Sequence, residues 1–289
     1  GLNKGQAGNS EVGHMTIGAG RVLKQSEILV NEFFENVDYE NKNVAKLMEQ
    51  KEKDVHIMGL CSDGNIHAGV DDFISMYKLL VENGFKKIHF HLITDGRDTK
   101  VDVSYTFIKM ISDLISEYGV GDIVSIAGRF YAMDRDENFD RTKLYYDLVT
   151  RGKGISSINI EKSINSSYAS GITDEFIKPI IASNNVIKNG DVLIWMNYRA
   201  DRAKQILNAF VNYSTFDKFS VLDMSDLLVF SFLPVDKKIK TYNLIEPVEV
   251  KSPLGIYLSE LGFTQARIAE SEKYPHVTYF FDGGYDGKI

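Results

Sequence analysis

The chain alternates short apolar runs with longer amphipathic stretches, an order that few architectures accept. The runs are "DVHIMGL" (54–60), "KIHFHLIT" (87–94), "DIVSIAG" (122–128), "DVLIWMNY" (191–198), "LLVFSFL" (227–233) and "VTYFF" (277–281). Each is short, rich in β-branched or aromatic residues, and reads as a strand. Helical periodicity covers 71–83, 103–118, 138–149, 201–211 and 253–261. The pattern specifies an α/β fold with a mostly parallel sheet. The polar, weakly periodic segment 153–175 reads as an excursion or loop. Over 242–252 the alternation pauses around Pro247 and Pro253, which marks an internal linker, and a matching crossing is expected at 21–27.

Ligands of such sheets gather beyond the carboxyl ends of the strands. The segments there are "CSDGNIH" (61–67), "DGRD" (95–98), "RFYAMDRD" (129–136) and "RADR" (199–202). Only 9 of the 33 basic residues are arginine, yet Arg97, Arg129, Arg135, Arg199 and Arg202 all fall in these segments. A guanidinium offers a planar fork that matches phosphate or carboxylate, which lysine does not imitate. A small, multiply anionic ligand accounts for all five. The competing reading pairs each arginine with a neighbour, Asp95, Asp98, Asp134, Asp136 or Asp201, in a structural ion pair.

A formal net charge of −7 argues against general nucleic-acid binding, which leaves a basic footprint. No apolar run is long enough to span a membrane, and the first residues lack a signal-peptide pattern. The lone Cys61 rules out an internal disulfide and fits a reducing compartment, so the cytoplasm is the expected location.

In "AGNSEVGHM" (7–15), Asn9 or Ser10 suits a helix N-cap. A serine there is far more often a cap than a nucleophile, yet a helix N-terminus also stabilises a covalently attached phosphate, so the two readings of Ser10 are compatible. His14 lies four residues on, but no aspartate orients its ring. The six histidines have no zinc-site spacing, and His89 and His91, on one strand face, are expected to pack.

"GQAGNSEVGHMTIGAGRV", "SDGNIH", "DGRD", "AGRFYAMDRDENFDR", "NYRADRA" and "RIAESEKYPHVTYFFDGG" span nearly the whole chain. In order and spacing they resemble the cofactor-independent (2,3-bisphosphoglycerate-independent) phosphoglycerate mutase family. The resemblance implies an alkaline-phosphatase-like domain, incomplete here, interrupted by an inserted α/β phosphotransferase domain. On that basis residues 1–23 and 249–289 are two pieces of the first domain and 24–248 are the insert. The implied reaction interconverts 3-phosphoglycerate and 2-phosphoglycerate through a phosphoserine, with two Mn²⁺ or similar ions and no 2,3-bisphosphoglycerate. Ser10 matches the phosphoserine and is also a metal ligand. His67, Arg97, Asp98, Arg129, Arg135, Arg199, Arg202 and Lys273 match the substrate-binding residues, with Asp98 as proton carrier.

The family's other metal ligands precede the serine motif or follow "FFDGG", so Ser10 is the one family ligand with a counterpart here. The chain therefore reads as an internal portion, expected not to turn over substrate by itself, with "VTYFF" exposing an unpaired edge. A small-molecule substrate, no nucleic acid, no membrane and a monomer complete the expectation. The alternatives are a non-catalytic phosphoglycerate-binding module and another metal-dependent phosphomutase or phosphatase of the same superfamily.

Overall fold

In the computed structural model, which describes residues 10–246, 250–285 and 287, five of the six apolar runs are strands of one sheet. The chain divides into two compact units, Val30–Glu246 and Gly1–Leu29 with Pro247–Ile289. Helices α1 (Ser10–Ala19) and α2 (Ser26–Glu35) open the described chain, and α2 runs across the division. The larger unit continues with α3 (Lys42–Met48), β1 (Val55–Leu60), α4 (Val70–Glu82), β2 (Ile88–Thr94), α5 (Ser104–Tyr118) and β3 (Asp122–Gly128). Next come α6 (Arg129–Ala132), α7 (Phe139–Arg151), β4 (Ile155–Ser156), α8 (Ile160–Ala169), β5 (Ile180–Ile181) and β6 (Val192–Trp195). It ends with α9 (Lys204–Val211), β7 (Leu228–Ser231) and β8 (Tyr242–Asn243).

The sheet order is β4-β5-β3-β2-β1-β6-β7-β8, and every pairing is parallel except β3 with β5. All residues of β1, β2 and β6 are buried, which is why these strands are nearly continuous apolar runs rather than alternating ones. Trp195, Tyr77, Tyr145, Phe73, Phe90 and Phe210 are among the largest fully buried side chains. Among the described residues no helix is long and apolar enough to cross a membrane.

Three expectations are corrected. The segment 153–175 is not a loop: it carries β4, α8 and a 3₁₀ turn at Asp174–Phe176. Asn159 caps α8 by accepting from Lys162 N at 2.8 Å, and the Ser163, Ser167 and Ser170 hydroxyls fold back on carbonyls four residues earlier. The helix is mostly polar, with a narrow apolar stripe of Ile160, Ile164 and Tyr168 on the core, of which Ile164 is the one fully buried. "VTYFF" is not a strand but part of a π-helical turn, His276–Phe280. Pro275, with φ −59 and ψ −29, starts it in helical conformation, and Phe281 N and Gly284 N donate to carbonyls five residues back. The expected unpaired strand edge is therefore absent there. Tyr242 and Asn243, inside the expected linker, pair with β7, whereas Pro247 lies outside the described residues.

The smaller unit holds α1, α10 (Leu254–Glu260), a 3₁₀ turn at Ser271–Lys273 and the π-helical turn. A Cβ on Gly18 would stand 1.6 Å from the Phe281 carbonyl oxygen, so only glycine lets α1 approach this turn. Arg267 ties the turn together, donating to Val277 O at 2.7 Å and to Asp282 Oδ1 at 3.0 Å.

At the amino-terminal side of the larger unit's sheet, His56, His89 and His91 are buried and pack, as their spacing suggests. The His89 ring bridges Asp122 at 2.5 Å and Asp54 at 2.9 Å. A second row joins Ser125 to His91 at 2.8 Å, His91 to His56 at 3.0 Å, and His56 to Asp191 at 3.1 Å. Burial holds the His56 and His91 pKa values down. Burial also opposes charge on His89, but the Asp122 and Asp54 hydrogen bonds outweigh it and raise its pKa. Ring ¹⁵N spectra at pH 6.5, the ordinary histidine value, are expected to show His89 more than half protonated and His91 less than half. A raised folded-state pKa stabilises fully below the unfolded value and fades as pH climbs through the folded one. His89→Gln should accordingly cost about 2 kcal/mol near pH 6 and less at higher pH, measured by urea midpoints. A cost that grows with pH would contradict the assignment.

Candidate functional site

Strands β3, β2, β1 and β6 are consecutive neighbours in the sheet, so the four segments after them meet along one edge. The chain builds outward from β1 through β2 and β3 on one side and through β6 on the other, which makes β1/β6 the topological switch point. Leu60 N donates to Asn197 Oδ1 at 2.8 Å and Tyr198 N to His67 O at 2.8 Å, locking the β1 and β6 ends together. This lock turns the chain away after Trp195, so β6 is shorter than its apolar run and α9 starts only at Lys204. Residues 199–202 are thereby left as a loop on the site.

The segment after β2 is organised by Asp95, which is fully buried. Its Oδ1 accepts from Arg97 N and Asp98 N, both at 3.1 Å, and from Arg129 Nη1 at 2.6 Å. Its Oδ2 accepts from Ser62 Oγ at 2.6 Å, and Gly64 N donates to that hydroxyl at 3.0 Å. Gly96 sits at φ 71, and a Cβ there would meet Glu175 N at 2.7 Å, which excludes other residues from the turn. Arg129 Nη1 also donates to Asp98 Oδ2 at 2.5 Å, while His67 Nε2 lies 3.8 Å from the same oxygen.

The remaining arginines stand around this buried pair. Arg135 donates to Asp201 Oδ2 at 2.7 Å, Arg199 Nε lies 3.6 Å from Asp201 Oδ1, and Arg97 reaches Glu175 at 3.4 Å. Arg202 donates to the Met133 carbonyl at 3.0 Å. Burial, together with Arg129, Arg135 and Arg97, pushes the Arg202 pKa down, the mark of locally excess positive potential. Burial, then Arg129 and Arg199, lowers His67 to about 4, so its ring is neutral at neutral pH. Burial opposes charge on Asp201, yet Arg199, His67 and Arg135 hold its pKa below the usual carboxylate value.

His67 Nδ1, Arg129 Nε and Asp201 Oδ1 are buried without a hydrogen-bond partner among the described residues. Buried polar atoms in native proteins are nearly always satisfied, so three together in one cluster point to a polar ligand. The structure thus gathers His67, Arg97, Asp98, Arg129, Arg135, Arg199 and Arg202 in the larger unit. Ser62, Asp95 and Asp201 belong to the same cluster and were not singled out as site residues from sequence. Asp95 and Asp201 were signalled by the alternation of "DGRD" and "RADR", and Ser62 by its place in "CSDGNIH" after β1.

Ser10 and Lys273 belong to the smaller unit. Ser10 is the first residue inside α1, and Asn9, the other cap candidate, lies outside the described residues. His14 Nδ1 is 2.7 Å from Ser10 O, a pure acceptor, so that nitrogen carries the proton and cannot also accept from Ser10 Oγ at 3.3 Å. Ser10 Oγ hydrogen-bonds His276 Nδ1 at 2.9 Å, a residue the strand reading of "VTYFF" left aside. Lys273 Nζ lies 3.3 Å from Glu270 and is half exposed. Two imidazoles and no carboxylate surround Ser10 in the hydrogen bonds of the described residues, which contain no metal-holding group of three or more His, Cys, Asp or Glu. These residues alone do not fit a two-ion centre.

Residues 25–237 match the family described as BPG-independent PGAM N-terminus. A 2,3-bisphosphoglycerate-independent phosphoglycerate mutase of Prochlorococcus marinus subsp. pastoris is 39% identical over 292 residues, covering 99% of this chain and 54% of the relative. The protein of the same name from Parabacteroides distasonis is 40% identical, covering 98% of this chain and 58% of its own length. The chain thus spans about half the length of the curated relatives it matches. A crystal structure of Leishmania mexicana phosphoglycerate mutase at low cobalt concentration superposes with a TM-score of 0.84 at 26% identity, over 97% of this chain and 55% of that one. With its fold, its motif order and most of its length matched, the chain belongs to the family of 2,3-bisphosphoglycerate-independent phosphoglycerate mutases.

Proposed function

We propose that the full-length protein interconverts 3-phosphoglycerate and 2-phosphoglycerate through a phosphoserine on Ser10, without 2,3-bisphosphoglycerate. The observation that carries this reading is the trio of buried atoms without a hydrogen bond among the described residues, on His67, Arg129 and Asp201, inside a cluster of five arginines. The names of the relatives supply the substrate. In this reading 24–248 is the phosphotransferase domain, inserted into a phosphatase-like domain represented by 1–23 and 249–289. The protein works in the cytoplasm as a monomer. Two Mn²⁺ ions complete the proposal for the whole protein, held by Ser10 together with residues other than those described, and no step below depends on them.

In the first transfer the Ser10 hydroxyl gives up its proton as Oγ bonds to phosphorus, and the bond from phosphorus to the C3 oxygen of the substrate breaks, that oxygen taking up a proton. Glycerate turns, and its C2 hydroxyl then loses a proton as its oxygen bonds to phosphorus, while the bond from Ser10 Oγ to phosphorus breaks and Oγ regains a proton. Asp98 exchanges the protons of the glycerate hydroxyls. Its carboxylate, which accepts from Arg129 Nη1, is the base of the second transfer. Arg97, Arg129 and Arg135, with neutral His67, hold glycerate. Arg199, Arg202 and Lys273 offset charge on the phosphoryl oxygens.

Two outcomes are expected. In an enolase-coupled assay of the full-length protein, Ser10→Ala should lower kcat by about a thousandfold or more, with phosphate on the Ser10 peptide of the wild type by mass spectrometry. Retention of activity by the variant would sink the phosphoserine route. An anion beside His67 should also raise its pKa from about 4. Calorimetry of 3-phosphoglycerate binding at pH 5 in buffers of differing ionisation heat should then show more proton uptake by the wild type than by His67→Gln. Equal uptake would remove His67 from the site.

A further inference from the structure

We infer that Asp95 is a positioning residue of this site, setting the direction of Arg129 and the turn that carries Arg97 and Asp98, and reaching the His67 loop through Ser62. The inference rests on the mutase reading above. Asp95 is fully buried and both its carboxylate oxygens already accept from protein donors, so it acts through those groups. One carboxylate joins the ends of three strands: Ser62 after β1, its own turn after β2, and Arg129 at the end of β3.

Arg129 Nη1 is shared between Asp95 and Asp98, which leaves Nε as the buried, unpartnered edge. The two aspartates have different work. Asp98 is partly exposed and, on the proposed route, gains and loses a proton during each turnover. Whenever Asp98 is protonated, its hold on Arg129 weakens, and Asp95 alone keeps the guanidinium aimed. Ser62, two backbone N–H groups and Arg129 all favour the carboxylate of Asp95 and outweigh the burial that opposes it, so its pKa is lowered and it keeps its charge.

Asp95→Asn tests this in the full-length protein. An amide has one acceptor, so its NH₂ must face either the Ser62 hydroxyl or three N–H donors. Misaiming Arg129 is expected to raise KM for 3-phosphoglycerate about tenfold or more, a larger change than in kcat. Arg129 would then keep Asp98 as its one carboxylate partner of the two. Ser62→Ala removes one bond and should raise KM about threefold, and Ser62→Thr should restore it.

A folded Asp95→Asn with wild-type KM overturns the inference. If that variant does not fold, an unchanged KM in Ser62→Ala does so. If the wild-type protein has no mutase activity, the functional reading fails separately. Calorimetric affinity for inorganic phosphate then decides the positioning role: a loss of about tenfold in Asp95→Asn supports it, and equal affinity overturns it.

Discussion

Strand β1 hydrogen-bonds to β2 on one side and β6 on the other, and all three run parallel. Parallel strands direct their carboxyl ends the same way, so the loops after them share one edge. Where the sheet changes its direction of growth, two of those loops must diverge and a crevice opens between them. His67 follows one of these strands and Arg199 to Arg202 follow the other. Every functional statement about the larger unit depends on that arrangement, because residues as far apart in sequence as Ser62 and Asp201 have no other reason to meet.

The two readings of the arginines prove to be one arrangement with two kinds of pair. The Arg129 pair with Asp95 is buried on both sides, and breaking it would strand a charge in low dielectric, so it is permanent structure. The Arg135 pair with Asp201 and the Arg97 pair with Glu175 are partly exposed, where such pairs contribute little stability. Those guanidinium groups can exchange a carboxylate partner for an anionic ligand at small cost, and pairing keeps them ordered meanwhile. Counting ion pairs would therefore have missed the distinction that matters, which is burial.

Much of this was legible in the sequence. The central strands announced themselves because strands buried on both faces must be apolar throughout, and their ends were marked by arginines that a lysine-rich chain would not otherwise place there. What failed did so for local reasons. "VTYFF" is as apolar as a strand, and five residues contain too little periodicity to tell a helical turn from an extended run. The serine-rich α8 hides because its apolar stripe is only three residues, Ile160, Ile164 and Tyr168, among serines whose hydroxyls fold back on its backbone. Asp95 and Ser62 looked like ordinary turn residues, since a side chain that acts only through its neighbours carries no chemical signature of its own. Likewise His276 could be given no partner from sequence, because Ser10 is 266 positions away.

The row from Ser125 through His91 and His56 to Asp191 crosses four adjacent strands, β3, β2, β1 and β6, or the residue just before one of them. A carboxylate can only accept, so Asp191 takes the proton of His56, His56 accepts from His91, and His91 from Ser125. Strands that are mostly apolar resemble themselves after a slip, and burial by itself distinguishes their alignments poorly. A slip anywhere in this row would leave ring nitrogens or the serine hydroxyl unpaired in the interior. The histidines thus serve the sheet as an alignment key: their polar spacing tells each strand where its neighbour begins, and so fixes which residues arrive together at the far edge, where the chemistry is.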